Sequence, residues 1–74
     1  MTYLIKRTYN RHGDYDFLTS MDGDVPVWCG ARQFAMAVSA SDVPSLMGTI
    51  SEYRNPFTGQ SLADQRQMVE PVVA

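Results

Sequence analysis

The chain of 74 residues holds one cysteine, Cys29, and one histidine, His12. A lone thiol excludes an internal disulfide, and so few soft or imidazole ligands exclude a structural zinc site. A Cys–His nucleophile pair needs hydrogen-bond reach and a third group to orient the base, and nothing in the spacing of these two promises either. The simpler reading is an exposed turn histidine and a small, half-buried apolar thiol. No stretch approaches the roughly 20 apolar residues that cross a bilayer. The short apolar start of the chain breaks at Lys6-Arg7, so no export signal is read and a cytoplasmic setting is expected. Gly-rich phosphate loops and dinucleotide fingerprints are missing. Catalytic, cofactor-binding and metal-ligating residues are therefore not expected. Basic residues are also scarce: six Lys and Arg stand against eight Asp and Glu, for a net charge of −2. With a pI of about 5.0, bulk attraction to nucleic acid is not expected.

What is present is the composition of a folded chain, 45% apolar and 19% charged, too hydrophobic for disorder. The length allows a single domain, residues 1–74, that buries only roughly 60% of its unfolded surface. With no disulfide or metal to staple so small a core, oligomerisation or a partner is the remaining external support.

The clearest local signal is a β-hairpin over 2–20. Tyr3–Tyr9 and Tyr15–Ser20 are rich in β-branched and aromatic residues, and the link between them carries Asn10, Gly13 and Asp14. Alternation puts Tyr3, Ile5, Arg7 and Tyr9 on one face of the first strand. In the second, Tyr15, Phe17 and Thr19 fall together, opposite Asp16, Leu18 and Ser20. Pairing Tyr3, Ile5 and Tyr9 with Tyr15 and Phe17 would give one aromatic sheet face, which needs a cover.

Downstream, Met21-Asp22-Gly23-Asp24 is a turn. Val25–Cys29 reads as an irregular edge segment, because Pro26 has no N–H to give to a central ladder; Trp28 is expected to pack on the hairpin. Residues 33–39 alternate large and small, with Phe34, Met36 and Val38 inward, as in a third strand. Their Ala, Gln and Met would equally suit a short helix. The strongest helix signal covers 42–54. Ser41 is the expected N-cap, Pro44 sits harmlessly in the first turn, and Val43, Leu46, Met47 and Ile50 draw an apolar stripe. Gly48 weakens the helix and suggests a close helix–sheet approach. Asn55-Pro56 ends it. Ser61-Leu62-Ala63-Asp64 resembles a capping box opening a short C-terminal helix over 61–70, with Pro71 as its stop and Val72–Ala74 as a frayed tail. The fold class is thus α+β: a small antiparallel sheet covered by one amphipathic helix, with a second short helix at the C-terminus.

Two motif-like stretches have simpler readings. Asp14-Tyr15-Asp16 and Asp22-Gly23-Asp24 lack the glutamate a calcium loop places several residues on, so they read as turn acids. Asn55-Pro56-Phe57 spells a tripeptide recognised by some endocytic adaptor domains, but it serves equally as helix stop and turn. The early cluster Lys6, Arg7, Arg11 and His12, followed by Asp14, Asp16, Asp22 and Asp24, makes a dipolar hairpin able to orient a partner.

These exclusions point to a non-catalytic protein-binding module. Trp, Tyr and Arg are the usual interface anchors, which makes Tyr9, Arg11, Trp28, Arg32, Tyr53 and Arg54 the candidate partner-binding residues. Of these, Tyr53-Arg54 at the helix end is best placed to stand clear of the core. The alternatives are a single-strand nucleic-acid binder stacking bases on the hairpin aromatics and a small homodimeric structural protein.

The order of Tyr3-Leu4-Ile5-Lys6-Arg7, Tyr15–Ser20, Trp28 and Ala31-Arg32-Gln33-Phe34 resembles, in layout, small accessory proteins of phages and other mobile elements. Some of those inhibit host defence, anti-CRISPR proteins among them. The resemblance covers about residues 3–54. It implies a cytoplasmic inhibitor that occupies a surface on a host protein complex without chemistry of its own, and it carries over no functional residue.

Overall fold

The computed structural model describes residues 1–74. Its elements are β1 (Thr2–Thr8), β2 (Tyr15–Asp22), β3 (Val25–Cys29), a single 3-10 turn (Arg32–Phe34), β4 (Val38–Ser39), α1 (Val43–Glu52) and β5 (Met68–Val73). The fold is α+β, a five-stranded antiparallel sheet with one helix. β1 is its centre. β5 pairs with it from Tyr3 to Thr8, while β2 pairs with Lys6–Thr8 and β4 with Thr2–Tyr3. A strand has only two edges, so β2 and β4 share the one that β5 leaves. β3 lies outside β2.

Register decides which side chains meet. Lys6 lies opposite Phe17, and Arg7 opposite Asp16. Ile5 and Arg7 therefore share a face with Asp16 and Leu18, while Tyr15 and Phe17 lie on the other with Leu4 and Lys6. The single aromatic face expected from the sequence is not formed, because the pairing is offset by one residue and in a sheet one residue exchanges the faces. A bulge between Leu18 and Ser20 re-phases β2, so Met21 returns to the core side.

Helix α1 packs on the Ile5–Leu18 face. Its stripe, Val43, Leu46, Met47 and Ile50, closes a cluster of Ile5, Leu18, Val38, Ile50 and Leu62, and Trp28 and Val69 flank it. The opposite face is only partly covered. The segment after β3 crosses it, setting the Arg32 guanidinium 5.6 Å from the centroid of Phe17, before Met36 bonds back to the Leu18 carbonyl at 2.9 Å.

Several expectations are corrected. Val25–Cys29 is a regular edge strand. Of the third strand expected over 33–39 only Val38–Ser39 forms, preceded by the 3-10 turn. Asp42, not Ser41, holds the N-cap position, and its carboxylate accepts from Ser39 Oγ at 2.9 Å instead of capping the helix. Gly48 has open space where a Cβ would stand, so no close approach explains it.

The largest correction is at the C-terminus. The reciprocal capping-box bonds do form: Ser61 N–H donates to Asp64 Oδ2 at 3.0 Å, and Asp64 N–H to Ser61 Oγ at 3.1 Å. They open only a run of turns, ended by Arg66 at φ +60°. The last residues form neither a helix end nor a frayed tail. Met68–Val73 is β5, rich in valine, and it satisfies a whole edge of β1.

Candidate protein-binding surface

The turn after α1 is the most sharply defined surface feature. Asn55 organises it. Its Oδ1 accepts from the N–H groups of Phe57 (2.8 Å) and Thr58 (3.3 Å), its carbonyl accepts from Gly59 N–H at 2.7 Å, and its own N–H donates to Gln60 at 2.9 Å. Asn does this because its short side chain mimics a turn of backbone; Gly59, at φ +72°, supplies the left-handed residue that closes the ring. Arg54 Nη1 braces the loop from outside through the Gly59 carbonyl (3.2 Å) and the Asp64 carboxylate (3.4 Å). The Ser61 N–H, then the Ser61 hydroxyl and more weakly the Arg54 charge, hold the Asp64 carboxyl below its ordinary range. On this tethered loop Phe57 is 94% exposed. Burying a phenylalanine is worth about 1.5–3 kcal/mol, and the fold forgoes nearly all of it.

The six candidate residues do not form one surface. The rings of Tyr9 and Trp28 both lie against Arg7, whose Cζ is 5.6 and 4.7 Å from their centroids. Arg7 is clamped to Asp16 (Nε–Oδ1 2.9 Å). Trp28 thus belongs to a half-buried structural stack, with Tyr9 as its more exposed lid. Arg11 is exposed in the link and Arg32 lies over Phe17. Trp28 thus lies on the α1 side of the sheet with Arg7, whereas Arg32, over Phe17, lies on the other. Tyr53 and Arg54 are elsewhere, at the C-terminus of α1, and only Arg54 reaches the Asn55–Gln60 loop. Sequence reasoning assigned Phe57 to a turn and stopped there; the signal it passed over was a large aromatic inside a turn that has no buried side.

Between the Gly23-Asp24 turn and α1 runs an open groove of ≈ 480 Å³, floored by Met21, Met36 and Leu46 and rimmed by Asp24 and Asp42. Neither rim acid is in an ion pair; the only salt bridges are Arg7–Asp16 and Arg54–Asp64. Such a groove can take an apolar or cationic side chain from outside. No cluster of three or more His, Cys, Asp or Glu stands close enough to hold a metal, and no buried side-chain polar atom lacks a partner. No helix is long and apolar enough to cross a membrane.

Comparison with known proteins gives no relative to reason from: no family model matches the chain, and no curated protein or solved structure is significantly similar to it.

Proposed function

We propose that this chain is a non-catalytic protein-binding module that acts in the cytoplasm by occupying a surface of a partner protein, with Phe57 as its anchor. One observation carries the reading. A large aromatic stands almost fully exposed on a loop closed by its own hydrogen bonds, so the backbone that carries the anchor is ordered before binding. Interface energy concentrates in a few such side chains entering apolar pockets, while the surrounding contacts exclude water. Arg54, exposed beside the loop, is the polar neighbour at its rim. The layout resemblance to mobile-element accessory proteins suggests the particular form, an inhibitor of a host defence complex of the anti-CRISPR kind.

The test is affinity capture from a lysate of the host with the tagged full chain and with Phe57→Ala. A fully exposed side chain is not needed for folding, so the variant is expected to melt at the same temperature. The partner should be retained by the natural chain and bind the variant at least 30-fold more weakly, the equivalent of about 2 kcal/mol. Equal recovery by both chains contradicts the proposal.

A further inference from the structure

We propose that a second copy of this chain covers the exposed part of the sheet face opposite α1, forming a two-fold dimer that leaves both Phe57 loops free. The inference is independent of the role given to Phe57. It starts from the face opposite α1, where strand parity gathers Tyr15, Val27 and Met68, which remain 50%, 41% and 60% exposed. Phe34, on the segment crossing that face, is 61% exposed.

Pairing through either outer strand is disfavoured. Both outer strands carry a proline where a neighbour would need a donor. Ala74 N–H donates to the Thr2 carbonyl, which fixes Leu4–Val72 and Lys6–Glu70 as hydrogen-bonded pairs and turns the nitrogen of Pro71, opposite Ile5, outward. In β3, the two-residue turn Gly23-Asp24 makes Asp22–Val25 the bonded pair, so Pro26, opposite Met21, also faces outward. Edge-to-edge pairing is thereby discouraged. A face-to-face contact avoids both edges.

The charges fit a second copy. Lys6 and Glu70 are direct cross-strand neighbours on this face, yet they form no salt bridge, because the Lys6 ammonium lies 4.4 Å from the Tyr15 ring centroid instead. An isologous contact brings each patch against itself. With the two-fold axis passing between these two residues, Lys6 of one copy meets Glu70 of the other, twice over.

The experiment is sedimentation equilibrium of the full chain, under reducing conditions, on Lys6→Glu, Glu70→Lys and their equimolar mixture. The natural chain is expected at twice its 8.3 kDa mass at about 100 µM. Each single variant opposes like charges across the two-fold axis and should dissociate at least 10-fold more readily. In the mixture every cross-copy pair is again of opposite sign, so a heterodimer should form with the natural affinity. An effect confined within one chain cannot produce that rescue. A natural chain that stays monomeric at 100 µM overturns the proposal, as it would if the face were reserved for a different protein. Single variants that dimerise like the natural chain, or a mixture that stays dissociated, overturn it too.

Discussion

Arg7 shows how much one side chain decides. Its guanidinium is bound to Asp16 and stacked on Trp28, and the two charged side chains are only 20% and 12% exposed. The pair is worth little in net terms against apolar residues of the same shape, but breaking it leaves a charge stranded. Asp16→Asn is therefore expected to cost about 3 kcal/mol in urea denaturation, a large share of the stability of a domain this size. The double change Arg7→Met with Asp16→Leu should recover most of that loss, and a double variant as unstable as the single one would contradict it. Strand parity within each run was legible in the sequence: Arg7 with Ile5, Asp16 with Leu18. Register was not. Six residues link Thr8 to Tyr15, and a link of that length does not say whether Ile5 meets the face of Phe17 or that of Leu18, because many turn geometries fit it. The Arg7–Asp16 clamp settles the register, and it is invisible until the strands are paired.

At the scale of elements, α1 follows its sequence closely, because a stripe of four apolar residues with a proline start and an Asn-Pro stop leaves few alternatives. Gly48 is the exception that packing does not explain. With open space at its Cβ position, Gly48→Ala should stabilise the protein by up to about 1 kcal/mol, raising the melting temperature by about 4–8 °C; a lower melting temperature would show a contact that the structure lacks. The C-terminal segment defeated local reading for a definite reason. Ser61 and Asp64 carry a helix-start signal, and its bonds form, but five or six residues cannot sustain a helix alone. The unpaired edge of β1 offers Met68–Val73 six cross-strand neighbours instead. Pro71, read as a helix stop, sits at a non-bonded edge position. Pro71→Val should consequently change stability by less than about 1 kcal/mol while promoting aggregation, since it restores an outward N–H to an edge strand; light scattering on the two proteins at matched concentration distinguishes this from a simple folding defect.

The whole molecule is a thin plate, 17 Å in its shortest dimension, with ten residues buried. So small a core explains why length alone pointed to external support. It also leaves large apolar groups outside, Phe57 above all. The candidate surface was poorly legible: residue type singles out Tyr, Trp and Arg, whereas placement in the fold half-buries Trp28 against Arg7 and leaves Phe57 the most exposed large apolar side chain. The central claim is tested most directly by titration calorimetry of the captured partner against the natural chain, Phe57→Ala, and Asn55→Ala, which keeps the phenylalanine but unties its loop. The account predicts an unchanged fold with binding at least 30-fold weaker for Phe57→Ala, and an intermediate loss for Asn55→Ala, whose loop must be ordered on binding. Natural affinity in Phe57→Ala would contradict it.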